Sequence, residues 1–96
     1  MYSSDSYFDW DRAKLICIDK NMELPGIIEL EQIYRNKDFI PNLAENEWYI
    51  SSTEANKYDY WALYMSEDNI RDIHDLMSSS SKKTKSDNRV RCIRKF

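Results

Sequence analysis

Glycine is almost missing from this chain: Gly26 is the only one in 96 residues. Tight turns that need positive φ must therefore fall to Asn, Asp or Ser, which adopt it less readily. Histidine is limited to His74 and cysteine to Cys17 and Cys92, too few ligands for a structural zinc site. Two cysteines fit one disulfide or, equally, two buried thiols. No apolar run approaches the roughly 20 residues that cross a bilayer, so no membrane insertion is expected. The opening residues, Met1 to Asp5, are polar and acidic and do not read as a signal peptide.

Catalytic constellations are also lacking. His74 has Asp72 and Asp75 beside it, but no nucleophile motif. Ser78 to Ser81 supply hydroxyls without the elbow that activates one. The carboxylates are scattered, and no spaced pair suggests glycoside hydrolysis. The sequence points away from an enzyme and calls for no catalytic residue, cofactor or metal.

What is present suits one small folded domain spanning residues 1–96. Three Trp, seven Tyr and three Phe are ample core material. Charge is laid out unevenly. Residues 1–81 carry sixteen acidic and seven basic side chains, whereas residues 82–96 carry seven basic and one acidic. The direct reading is that the basic tail lies against the acidic body. Nucleic acid is not an expected partner, because an acidic body repels phosphate and no binding motif accompanies the tail.

Asp9 is placed to cap a helix starting at Trp10, whose buried stripe is Trp10, Ala13 and Cys17. Asn21 is a left-handed terminator in the absence of glycine. After Leu24-Pro25-Gly26, a second helix runs from Ile27 to Arg35 with Ile27, Leu30, Ile33 and Tyr34 inward. The loop from Asn36 to Glu47 is expected to be pinned by Phe39, Ile40 and Leu43. Trp48 to Ser52 and Tyr60 to Met65 read as strands, the latter apolar on both faces and therefore central. Residues 67–77 are ambiguous between helical turn and loop. Residues 78–88, rich in Ser and Lys, read as a mobile loop. Arg89 to Ile93 alternates as a last strand, with Val90 and Cys92 inward and Arg89 and Arg91 outward. The order is that of an α+β fold, two helices packed on a short antiparallel sheet.

Certain blocks resemble a known family. Trp10-Asp11-Arg12-Ala13-Lys14-Leu15-Ile16-Cys17 resembles the opening helix of C-type-lectin-like domains. Leu24-Pro25 followed by Glu29-Leu30, then Trp48-Tyr49-Ile50-Ser51-Ser52-Thr53 and Val90-Arg91-Cys92-Ile93-Arg94, are similar to a bacterial branch of that superfamily. This branch is the family of unknown function at the C-terminus of the Legionella collagen-like protein, related to the Fibrobacter major paralogous domain. The resemblance implies a compact lectin-like domain with a disulfide between Cys17 and Cys92, and with it a secreted, cell-surface or periplasmic setting. The chain departs from the pattern at Glu23 and Gly26, where the family carries arginine and threonine. Its N-terminal strand is shortened or missing, which would leave the last strand open to a partner chain or a second copy. The resemblance does not imply calcium-dependent sugar binding, because the asparagine- and aspartate-containing triplets of such lectins are lacking. Glu67, Asp68, Asn69 and Asp72 read as a solvated acidic loop.

The leading expectation is a noncatalytic module that binds a protein or glycan through surface loops. The alternative is a structural or self-association domain of a surface, phage or effector protein, with the terminal strand making the homo-oligomer. Candidate contact residues are Tyr58 and Tyr60, as rigid amphipathic aromatics, and Lys82, Lys83, Lys85, Arg89 and Arg91, as an anion or acidic-partner patch. For the arginines the simpler role is salt bridging to the acidic helices, for example with Glu29 or Glu31.

Overall fold

Residues 2–3, 7–41 and 43–94 are described by a computed structural model. Residues 1 and 4–6, part of the N-terminal segment in question, lie outside the described residues. Asp9 caps helix α1, Trp10–Asp19, by accepting a hydrogen bond from Arg12 N at 2.8 Å. At its far end Asn21 takes φ 56°, the left-handed conformation expected where glycine is lacking, and Asn46 does the same at φ 59°. Helix α2, Ile27–Arg35, starts after Gly26. Glycine brings no capping side chain, so the first amides are met from elsewhere. Glu29 Oε1 accepts from Gly26 N at 2.8 Å, and Thr53 Oγ1 accepts from Ile27 N at 3.0 Å.

The strands are β1 (Tyr2–Ser3), β2 (Met22–Glu23), β3 (Trp48–Glu54), β4 (Asp59–Tyr64), β5 (Met77–Lys82) and β6 (Arg91–Arg94). They form two three-stranded antiparallel sheets, ordered β1-β6-β2 and β3-β4-β5. The chain is thus α+β, with two sheets where the sequence suggested one. Arg89 couples them: its N–H donates to Trp48 O at 2.8 Å, and Ile50 N donates to its carbonyl at 2.9 Å.

The β3–β4 layer separates two apolar cores. Ile50, Tyr60 and Ala62 face α1, Val90 and Cys92. Tyr49, Leu63 and Met65 face α2, Ile73 and Leu76. β4 is buried on both faces, as its unbroken apolar run required. Cys17 and Cys92, both fully buried, are disulfide-bonded with their Cα atoms 5.4 Å apart.

Several expectations are corrected. The N-terminal strand is not missing: β1 pairs Tyr2 with Cys92 and Ser3 with Arg91, so only its shortness stands. β6 consequently has a neighbour on each side and is not an open edge. Residues 78–82, read as mobile loop, belong to β5. Serine carries little strand preference of its own, and pairing with the apolar β4 supplies what the run lacks. The last strand begins at Arg91, not Arg89, and Arg91 is buried: it and Cys92 point to opposite faces and both are covered, so the strand is enclosed on both sides there, with Tyr49 near the guanidinium. Phe39 ends a short 3₁₀ turn, Lys37–Phe39, and is 85% exposed, leaving Ile40 and Leu43 to pin that loop. Residues 73–76 resolve the ambiguous segment as a single 3₁₀ turn.

Candidate functional site

One end of the β3-β4-β5 sheet gathers Tyr58, Lys57, Lys82 and Lys83. The hairpin between β3 and β4 turns on Asn56. Its Oδ1 accepts from Tyr58 N at 2.8 Å and Asp59 N at 2.9 Å, and its Nδ2 donates to Asp59 Oδ2 at 2.9 Å. Ala55 N and Asn56 N both donate to Asp59 O. Asn favours this side-chain-closed turn, which holds the loop without glycine. Tyr58 stands at its tip, 67% exposed, with Lys57 Nζ 5.6 Å from the ring centroid. The turn after β5 lies alongside, because Lys83 N donates to Tyr58 O at 3.0 Å.

The lysines here are largely committed. Lys82 Nζ sits 2.8 Å from Asp59 Oδ1, and Lys83 Nζ sits 2.7 Å from Glu54 Oε2. Hydrogen bonding to Lys82, and then to Asn56, holds the Asp59 carboxyl below the usual carboxylate range. Hydrogen bonding to Lys83 does the same for Glu54. Lys83 and Lys14 also place their ammonium groups 4.3 and 3.6 Å from the Trp10 ring centroid. Lys85 is exposed in the adjoining turn, its N–H bonded to Lys82 O.

The other candidates part company with this end. Tyr60 is fully buried and leaves the contact surface. It stacks on Trp10 with centroids 6.5 Å apart, and its hydroxyl accepts from Asn88 Nδ2 at 2.6 Å. Burial, opposed by the Asn88 bond, pushes its phenol up to about 12. Arg91 is inside as well, where burial lowers its pKa. Arg89 lies elsewhere, with Nε 3.4 Å from Glu47 Oε1 and its guanidinium carbon 5.3 Å from the Tyr7 ring centroid. Its acidic partner is thus Glu47, not Glu29 or Glu31. These pairs bear out the plain reading of the charge asymmetry, basic tail against acidic body.

The acidic loop of residues 67–72 is organised by the chain's own donors. The buried Lys37 ammonium contacts Glu67 O at 2.6 Å and Glu45 Oε2 at 3.1 Å. Arg35 donates to the carbonyls of Ile70 and Arg71 at 2.9 and 3.0 Å. Tyr34 donates to Asp68 O and accepts from Ile70 N. Among the described residues no group of three or more His, Cys, Asp or Glu side chains is arranged to hold a metal. His74 is an exposed side chain 3.1 Å from Asp72 Oδ1.

Asn56, Lys57 and Lys37 were not singled out from the sequence. The spacing of Asn56 two residues before Tyr58 carries a turn signal that would have found the first. No local pattern marks Lys37 as buried. No family model, curated protein or solved structure matches the chain.

Proposed function

We propose that the protein is a noncatalytic binding module that recognises a protein or glycan through the loops at the Tyr58 end. The observation that carries this is Tyr58 itself, 67% exposed on a loop already fixed by Asn56 and Asp59. A large amphipathic ring on a pre-formed turn gives contact area with little ordering cost on binding. Lys57 and Lys85 add cationic donors on the same rim, with Lys82 and Lys83 held in place by their carboxylate partners.

A lectin-like scaffold is part of this reading. It is supported by the bond from the first helix to the last strand and by the antiparallel pairing of β1 with β6. The same disulfide favours an oxidising setting, at a cell surface, in a periplasm or outside the cell.

The test is binding to an immobilised glycan panel, and to extracellular protein fractions, by wild type and Tyr58→Ala side by side. Tyr58→Ala should lose binding by tenfold or more while its melting temperature stays within about 2 °C, since an exposed ring adds little to folding. A bound ligand that Tyr58→Ala retains at full affinity sinks the assignment.

A further inference from the structure

A serine protease takes its substrate as an extended segment and hydrogen-bonds to its backbone. A bond in a native chain is therefore cut where that backbone is exposed and uncommitted. The connection between β5 and β6 supplies such a stretch. Lys83 is fixed at one end: its N–H donates to Tyr58 O at 3.0 Å and its carbonyl accepts from Trp10 N at 3.1 Å. Asn88 is fixed at the other: its carbonyl accepts from Phe8 N at 2.9 Å, and its buried side chain donates to the Tyr60 hydroxyl. Between them Thr84, Lys85, Ser86 and Asp87 are all exposed. Among the described residues their one backbone bond is Lys85 N to Lys82 O at 3.2 Å, so neither the Lys85 carbonyl nor the Ser86 N–H is engaged.

No other lysine or arginine that is followed by a described residue offers the same. After Lys57, Tyr58 N is held by Asn56 Oδ1 at 2.8 Å. The Arg71 carbonyl accepts from Arg35 Nη2 at 3.0 Å, and Asp72 follows it directly. After Lys20, Asn21 N donates to Ile18 O at 2.9 Å, and Lys37 is buried with its carbonyl bonded to Ile40 N. The rest lie in α1 and α2, or in and beside β5 and β6, where helix, ladder and turn bonds hold them. Asp87 is the one acidic side chain in residues 82–88, and it does not adjoin the Lys85–Ser86 bond.

The fold can bear a cut at this place. Water added across the peptide breaks its C–N bond and leaves a carboxylate on Lys85 and an ammonium on Ser86. The severed piece, residues 86–96, keeps β6 between β1 and β2, keeps the Arg89 bonds to Trp48 and Ile50, and keeps Cys92 bonded to the buried Cys17. The Tyr58 turn keeps its bond to Lys83, which lies ahead of the cut.

We infer that Lys85–Ser86 is a processing site, cut by a trypsin-type serine protease whose acidic pocket takes the Lys85 ammonium, and that the product is a folded two-chain molecule joined by Cys17–Cys92. The cut puts two new charged ends beside Tyr58. The inference stands whether or not that rim binds a ligand.

Limited digestion of the full chain with trypsin tests it, read by mass spectrometry without and with reductant. The first product should be one species, heavier than the intact chain by one water. Reductant should then split it into residues 1–85 and 86–96. Circular dichroism of the cut, unreduced species should match the intact chain. Lys85→Gln removes the charge that the pocket reads and should slow the first cut by about tenfold or more, with the melting temperature within about 2 °C of wild type. A first cut after Lys57, Arg71 or any other residue overturns the inference. So does a Lys85→Gln chain cut as fast as wild type, or a cut chain that unfolds or sheds residues 86–96 before reduction.

Discussion

Asparagine takes over work that glycine does in most small domains. Asn21 and Asn46 hold the two positive-φ positions, and Asn56 closes the β3–β4 turn through its side chain. Left-handed backbone costs other L-residues about 1 kcal/mol or more, and asparagine less. Asn21→Ala should therefore lower unfolding free energy by about 1 kcal/mol, whereas Asn21→Gly should leave it nearly unchanged, read from urea midpoints at constant slope. Tyr60 supplies a prediction of another kind. Its folded pKa of about 12 lies above the ordinary 10.0. Below pH 10 both folded and unfolded chains keep the phenol proton, and the stabilisation is complete. Between pH 10 and 12 the unfolded chain releases that proton while the native chain holds it, so stability falls as pH rises. Tyr60→Phe has no proton to lose and should flatten part of that decline in paired melts across this window. If wild type and variant decline in parallel, the buried phenol is not what the alkaline limb reports.

At the scale of elements, what was legible is what local physics decides. α1 and α2 carry their caps and apolar stripes in the chain itself, and both begin and end where the periodicity says. β4 announces its burial by being apolar at nearly every position. β5 is a serine run with no inward stripe, and only its ladder with β4 makes it a strand. Arg91 misled for a related reason: alternation says which residues share a face, not whether that face will be covered. The same limit divides the candidate site: Tyr58 stands on the turn before β4, whereas Tyr60 lies inside that central strand, where the Trp10 stack and the bond from Asn88 take it off the surface. Lys37 shows how far a tertiary contact can reach. Its ammonium joins Glu45, on the loop before β3, to the Glu67 carbonyl after β4. Lys37→Met keeps much of the buried stem but leaves that carbonyl without its donor, a cost of about 1–3 kcal/mol. The loss should be local. Amide exchange at residues 66–70 is expected to quicken, with protection in α1 and β6 unchanged. Uniform loss of protection across the chain would mean that Lys37 supports the whole fold and not this loop.

The molecule as a whole is held by a fastening placed in only one of its two cores. Cys17 and Cys92, 75 residues apart, join α1 to β6 on the Trp10 side of the β3–β4 layer. The α2 side has no such bond and relies on Leu30, Ile33, Leu63 and Met65 packing together. Closing a loop of this length restricts the unfolded chain by about 4–5 kcal/mol in the entropy model, and native bridges in small domains are worth about 2–5 kcal/mol when removed. That is a large share of the about 5–15 kcal/mol a domain commands. Cys17→Ala/Cys92→Ala, which avoids leaving a lone buried thiol, should therefore lower the melting temperature by at least about 10 °C. Both sulfurs are fully buried, so reductant should reach the wild-type bond only through opening of the structure, and reduction should track unfolding conditions. The position of the bond predicts an uneven result. Without it, amide protection should fall first in α1 and β6, where the bond acted, while α2 and the facing residues of β4 retain theirs longer. Equal loss in both halves would mean that the β3–β4 layer couples the cores into one cooperative unit. A melting point that barely moves would mean that the bridge follows the fold and does not hold it.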